Sequence, residues 1–359
     1  MSSQDITLLM TGVGGPGANG YIYSLQNNPE RKIRIIGTDI SERIDPETMA
    51  QLAAFYTIPR AGTIDYLPRL LGLCKDEHVD VILPLNTAEL SCLSIHRADF
   101  EALGTKVCVL DSELLETVNN KGRLLQQLQA IGIAVPEFAV VHSVPEFQSA
   151  LQELGYPRKA VVVKRPDGNG SRGIRFLDAS ASMADVFLKQ KPRSLYVSLP
   201  ELLSILPEIF AQTPLVVMER LPGQEYSVDT LVQNGRVVRS VCRRVDLSED
   251  SNDVDATVEQ APDVLRYCDQ ISEQLNIDGL IGYGVMRNAA GEPRLLEINP
   301  RLQSTTILSV MAGVNFPYAA VKMALHEPIT LPEPREGIRT VQRKQKLFFS
   351  QTGEILLKI

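Results

Sequence analysis

No C-x-x-C pair occurs in this chain, and its five cysteines, Cys74, Cys92, Cys108, Cys242 and Cys268, are scattered. That spacing excludes a sequence-evident zinc site and a disulfide framework. It reads as reduced thiols in the core of a cytoplasmic protein. The four histidines do not cluster, which excludes a histidine-built metal centre. Positive charge is also lacking: the net charge is −7, so no nucleic-acid footprint is expected. No uninterrupted apolar run is long enough for a membrane span. The richest stretch, from Ile307 to Leu325, is broken by Asn315, Pro317 and Lys322 and reads as helix, turn and helix. The start of the chain has Asp5 before the first apolar run and no basic segment, so no signal peptide is expected. The G-x-x-x-x-G-K-[ST] pattern of a Walker loop is absent.

What is there fits an α/β protein of several domains. A chain of 359 residues, 44% hydrophobic and 22% charged, is ordinary globular material with room for two or three domains. The apolar run Ile6 to Thr11 leads into Gly12-Val13-Gly14-Gly15-Pro16-Gly17, then a helix from about Asn19, then a strand Ile33 to Thr38 closing on Asp39. Further strands are expected at Val79 to Leu83 and Val107 to Leu110. The alternation predicts a parallel sheet flanked by helices, ending near Asp111. Ligands of such sheets sit beyond the carboxyl ends of the strands, which marks Pro84, Asn86 and Glu89 as site-lining candidates. The glycine run also matches G-x-G-x-x-G, with Asp39 standing 22 residues after Gly17, where a ribose-binding acid belongs. A nicotinamide-dependent oxidoreductase therefore stays open. Against it, Pro16 removes one N–H from the turn that would hold a pyrophosphate.

Three later segments carry chemistry. Val161-Val162-Val163-Lys164 is a buried strand closing on a cation, followed by a loop containing Gly168, Gly170, Ser171, Arg172 and Gly173. Those exposed N–H groups, framed by Lys164 and Arg172, suit a phosphate-gripping flap between two hairpin strands. Val216 to Glu219 is an apolar strand that turns through Pro222-Gly223 and resumes with Tyr226, Val228 and Thr230 alternating. Glu219 can accept from an exocyclic amine of a purine, and Glu225 can bind a ribose. Last, Leu295-Leu296-Glu297-Ile298-Asn299-Pro300-Arg301 puts Glu297 and Asn299 on one face of a strand. Two hard oxygen ligands so placed suit Mg²⁺ (or Mn²⁺), with phosphate oxygens completing its shell. Arg301 stands just beyond as a fork for phosphate or carboxylate. The Ser304-Thr305-Thr306 run is either a helix N-cap or a substrate-carboxylate contact.

In order, Asn120-Lys121, V-V-V-K-R-P, N-G-S-R-G-I, M-E-R-L-P-G-Q-E-Y-S-V-D and L-L-E-I-N-P-R resemble the ATP-grasp superfamily. They look closest to the branch of the carbamoyl-phosphate synthetase large subunit and related carboxylate–amine ligases. The resemblance implies a Rossmann-like pre-ATP-grasp domain over 1–112. An α+β ATP-grasp domain of two subdomains follows over 113–330, its lid at about 133–217. C-terminal strands over 331–359 would pack on it. It further implies that Lys121 and Lys164 meet ATP phosphates and that Glu219, Arg220 and Leu221 line the adenine. Glu225 would lie near the ribose, Glu297 and Asn299 would hold Mg²⁺, and Arg243 and Arg301 would approach the transferred phosphoryl group. A small-molecule carboxylate would be activated as an acyl phosphate and joined to an amine, with ADP and phosphate released. Such an enzyme is expected to be cytoplasmic, with no nucleic-acid or membrane partner; a homodimer is compatible with this. One departure stands out. The family places another acidic or amide ligand on the strand before E-x-N, and counting puts Gly284 there. A nucleotide-binding protein without turnover thus also stays open.

Overall fold

The computed structural model describes residues 4–168, 173–190, 194–247, 254–340, 347–349 and 355–358. The predicted parallel sheet is present. It comprises β1 (Ile6–Thr11), β2 (Ile33–Asp39), β3 (Ala54–Thr57), β4 (Val81–Pro84) and β5 (Lys106–Val107), in the order β3-β2-β1-β4-β5. Its strands read as near-continuous apolar runs because both faces are covered. Leu8 and Met10 face one core, which includes Tyr21 and Leu25, while Leu9 and Ile36 face another with Leu70 and Phe100. The last strand is shorter than the run Val107 to Leu110 suggested. Its ladder stops at Val107, and Val109 N–H turns back to the Val107 carbonyl. Asp111 then caps the helix Ser112–Asn119 by accepting from Leu114 N–H at 2.9 Å.

Two antiparallel sheets follow. The first holds β6 (Phe138–Val141), β7 (Val161–Lys164), β8 (Ile174–Leu177) and β9 (Leu215–Glu219), ordered β6-β9-β7-β8. Among the described residues its core is drawn from the stretch between Ala139 and Val217, with Phe147, Leu151, Leu206 and Leu215 buried in it. The second holds β10 (Glu225–Gln233), β11 (Arg236–Leu247), β12 (Val254–Val258), β13 (Gly279–Arg287), β14 (Pro293–Asn299) and β15 (Arg339–Thr340), ordered β14-β13-β10-β11-β12-β15. Alternation divides its faces: Tyr226, Val228, Tyr283, Val285 and Leu295 pack toward the helix Pro262–Gln274. The opposite face carries Ser227, Asp229, Gly282, Gly284, Glu297 and Asn299 in register. A hairpin of β16 (Leu347–Phe349) and β17 (Ile355–Lys358) forms a separate ladder. Ile307–Met311 and Phe316–Ala324 are two short helices, as the interrupted apolar stretch implied. Among the described residues no helix is long and apolar enough to cross a membrane.

Candidate functional site

The site is built where the two antiparallel sheets meet beside the carboxyl ends of the parallel one. The strand β7 is buried throughout, and Lys164 at its end is only 8% exposed. Burial pushes its ammonium down to about 8; Lys121 acts in the same direction, and Glu297 and Glu225 oppose it. Lys121 opens the helix Lys121–Ala130, whose N-cap Asn120 accepts from Arg123 N–H at 3.0 Å. Its Nζ reaches the Gly168 carbonyl at 2.5 Å and Glu297 Oε2 at 3.3 Å. The two lysines, Gly168, Glu225 and Glu297 therefore converge, although they are distant in sequence. Gly170 and Ser171, with Arg172, lie outside the described residues. Gly173 closes the loop in the left-handed region at φ 74°, where a Cβ would meet Arg165 side-chain atoms at 2.8 Å. The hairpin expected around this loop is formed, with Lys164 opposite Ile174.

The linker after β9 joins the two sheets. Glu219 Oε1 accepts from Glu137 N–H at 3.0 Å. The Arg220 guanidinium lies 4.8 Å from the Phe176 ring centre and 5.3 Å from that of Tyr196, and donates to Asp178 at 3.1 Å. Leu221 is buried. Gly223 donates to the Arg287 carbonyl at 3.0 Å, and that close approach leaves no room for a Cβ. Glu225 opens β10. Burial raises its carboxyl above the usual range, Glu297 adds to this, and Lys164 counters it.

Glu297 and Asn299 share a face, with Asn299 Nδ2 donating to Glu297 Oε1 at 3.1 Å. Register places Gly284 opposite Glu297 and Gly282 opposite Asn299. The two glycines differ. A Cβ on Gly282 would lie 2.3 Å from Gln303 Nε2, so Gln303 occupies that volume; a Cβ on Gly284 would make ordinary contact with Glu297 Cγ at 3.4 Å. No described cluster of three or more His, Cys, Asp or Glu could hold a metal alone. The carboxylate and carboxamide oxygens on one open face nevertheless fit Mg²⁺, an ion that takes few protein ligands and completes its shell with water and phosphate.

Arg301 is largely buried. Its Nε donates to Thr87 Oγ1 at 2.8 Å and its NH1 to the Leu302 carbonyl at 2.7 Å. Burial lowers its pKa from the usual arginine value. Thr87 opens the helix after β4, so this arginine is tied to the parallel sheet. Arg243, expected to approach a phosphoryl group, is used differently. It is fully buried, and Asp229 holds its guanidinium in a two-point pair. It also donates to Ser227 Oγ at 2.9 Å, Gln303 Oε1 at 3.0 Å, and the Thr305 carbonyl and Ser309 Oγ at 3.1 Å. Its charge is spent on holding the segment after Arg301 against the sheet. Arg244 alternates to the other side and pairs with Asp246 and Glu259. Thr306 is no side-chain N-cap: its hydroxyl accepts from Gln303 N–H and donates to Asp229.

Of the strand-end candidates, Asn86 is a helix cap accepting from Ala88 N–H at 3.1 Å. Glu89 is 4% exposed and receives the Thr11 hydroxyl; burial pushes its carboxyl up to about 7. In the glycine turn, Gly12 and Val13 N–H go to the Thr38 carbonyl, Gly14 N–H to Asp39 Oδ2, and Gly15 N–H to the Gly12 carbonyl. The other Asp39 oxygen accepts from Ser41 N–H. Four N–H groups of the turn and both oxygens of Asp39 are thus already paired, which counts against a dinucleotide there. Sequence reasoning did not pick out Gln303 or Thr87; Asp229, which reads from sequence as a turn stabiliser or an arginine's partner, is the latter. The signal for Asp229 is alternation along β10 with Ser227, the register partner of Arg243; Gln303 and Thr87 carry no such local signal.

Residues 211–346 match the family model described as ATP-grasp in the biosynthetic pathway with Ter operon, and residues 8–108 match the PylC-like N-terminal domain. The chain carries an ATP-grasp domain behind a PylC-like N-terminal domain. The motif-based resemblance and the α/β fold class agree with this. Among curated relatives, multifunctional protein URA2 of Saccharomyces cerevisiae is 25% identical over 287 residues, covering 76% of this chain and 12% of that protein. The uncharacterized protein y4rH of Sinorhizobium fredii is 27% identical over 242 residues, covering 65% and 47%. The chain thus spans less than half the length of either. Among solved structures, an ADP complex of purK, N5-carboxyaminoimidazole ribonucleotide synthetase, aligns over 93% of this chain and 80% of its own, with TM-score 0.65 at 15% identity. A βγ-ATP complex of biotin carboxylase from Campylobacter jejuni aligns over 97% and 77%, with TM-score 0.67 at 15% identity. The L-amino acid ligase of Bacillus licheniformis aligns over 90% and 75%, with TM-score 0.62 at 15% identity. Each shares the fold of this chain.

Proposed function

We propose that this chain is an ADP-forming ligase that uses Mg-ATP to activate a small-molecule carboxylate and joins it to an amine. The observation that carries the reading is the convergence of Lys121 and Lys164 on Glu297 beside Gly168, with Asn299 on the same strand face. Two cations next to two hard oxygen ligands suit the phosphates of a metal-bound nucleotide. Glu219, Arg220 and Leu221 would border the adenine, and Glu225 the ribose. A metal held by Glu297 and Asn299 would neutralise phosphate charge. The lysines would orient the triphosphate, and Arg301 would orient the incoming carboxylate. A carboxylate oxygen attacks the γ-phosphorus, the bond to the β,γ-bridging oxygen breaks, and ADP leaves with that electron pair. The amine lone pair then attacks the acyl carbon, phosphate departs, and the nitrogen loses a proton to solvent.

Gly284 favours a second reading, a nucleotide-binding protein without turnover, because no carboxylate faces Glu297 across β13 and β14. The nicotinamide alternative loses support from the glycine turn, where four N–H groups and both Asp39 oxygens are already paired. Calorimetry with Mg-ATP and NAD(P), joined to an ADP-release screen over small acids and amines, separates the three. Acid-dependent ADP release supports ligation. ATP binding without it supports the second reading, and tight NAD(P) binding against competing ATP overturns both.

A further inference from the structure

A cavity of about 360 Å³ lies between the glycine turn and the C-terminal edge of the large sheet. Its apolar wall is Ile307, Leu308 and Met311 from the helix after Arg301, and Ile338 beside β15. Ser304, Thr305, Thr340, Pro16 and Arg339, which pairs with Asp255 at 3.4 Å, complete it with Gly17; no carboxylate lines it among the described residues. Gly17 lines its inner end, and a Cβ there would stand 3.2 Å from Ser304 Cα, so turn and segment touch. Ser304 follows Arg301 by three residues, which places it within roughly 10 Å along the chain. Its volume is at the small end for ligand pockets, the size of an amino acid and not of a nucleotide. The Arg243 and Asp229 network fixes the segment that forms its wall.

We infer that this cavity receives the hydrocarbon body of the acid, whose carboxylate extends toward Arg301. The substrate class is then a carboxylic acid, amino acids included, with an apolar side chain of leucine to phenylalanine size. Three features select it: a wall of branched and thioether side chains, the lining residues Ser304, Thr305 and Thr340 to meet an α-substituent, and no carboxylate among its described lining residues. The inference rests on the ligase reading.

The test uses the full chain with Mg-ATP and hydroxylamine as the nucleophile. Hydroxylamine nitrogen displaces phosphate from the acyl phosphate and leaves a hydroxamate, measured beside ADP. Across alanine, 2-aminobutyrate, norvaline and leucine, kcat/KM is expected to rise about fourfold per added methylene, as burial of a CH₂ predicts. Aspartate and lysine should be poor substrates. Met311 is 38% exposed, so Met311→Glu should fold; it is expected to flatten the series while Mg-ATP affinity stays unchanged. A flat series in the parent, or one unaltered by Met311→Glu, overturns the cavity assignment and leaves the ligase reading standing if some acid releases ADP. Calorimetric leucine binding with a non-hydrolysable ATP analogue is the independent arm. Binding lost in Met311→Glu, with no acid releasing ADP, supports the cavity and sinks the ligase reading. Absence of leucine binding sinks the cavity.

Discussion

Glu89 is held where ionisation is costly, with burial the main cause and only the Thr11 hydroxyl to offset it. Its folded pKa of about 7 lies above the unfolded value near 4.3, so the native state binds the extra proton between those values. Stability contributed by this group is present at acid pH and is lost as pH rises through that window. Glu89→Gln, which mimics the neutral form, should therefore stabilise the protein at pH 8 by about 3 kcal/mol and change little at pH 4. Urea midpoints of both proteins at the two pH values check this; an equal gain at both would disprove the assignment. Lys164 has the opposite character. Its ammonium, depressed to about 8, loses charge as pH rises through that value, so Mg-ATP affinity should weaken above pH 8. In Lys164→Met that pH dependence should vanish in calorimetric titrations. At Glu297, replacement by Ala should leave the fold intact and cut ADP release on the order of 10²-fold or more, by analogy with removal of one electrostatic stabiliser. A folded variant with near-normal turnover would remove Glu297 from the machinery.

At the scale of elements, β13 carries two glycines on one face with unlike demands. Gly282→Ala drives a methyl into Gln303 and should shift the segment that holds Arg301, lowering activity more than stability; Gly284→Ala meets only ordinary contact. Activity and melting temperature measured for both decide whether Gln303 is as tightly placed as its hydrogen bonds indicate. This contrast was invisible in the sequence, where both positions are glycine in a strand. The strands themselves were legible because alternation and strand-end cations are local signals. Lys121 meeting Gly168, Lys164 facing Glu297, and the parallel sheet followed by two antiparallel ones all agree with the motif order. The task of Arg243 was not legible. It depends on the loop 301–309 returning across β10 and β11, a non-local fact that no spacing encodes. The strand Ala54–Thr57 escaped for a related reason: a short edge strand has little pattern to read.

At the scale of the molecule, the sheets differ in independence. The four-stranded sheet owns its core, so Phe147→Ala should loosen β6 to β9 by about 3–5 kcal/mol while β1 to β5 keep their amide protection. Hydrogen exchange resolved by segment tests it; uniform loss of protection would mean that the whole chain unfolds as one unit. The parallel sheet, in contrast, shares its core. Leu8, Met10, Tyr21 and Leu25 pack with Leu302, Tyr318 and Val321. Arg31 pairs with Glu327, and Lys322 reaches Glu30 at 2.8 Å. That sharing has a consequence during synthesis. The first sheet, whose last strand ends at Val107, leaves the ribosome with one apolar face uncovered, and the residues that close it, Leu302, Tyr318 and Val321, are made later. At about 5–20 residues per second, the wait runs from roughly ten to forty seconds. During that interval the uncovered face should attract holding chaperones, and codon choices that slow translation of the middle of the chain should lower its soluble yield.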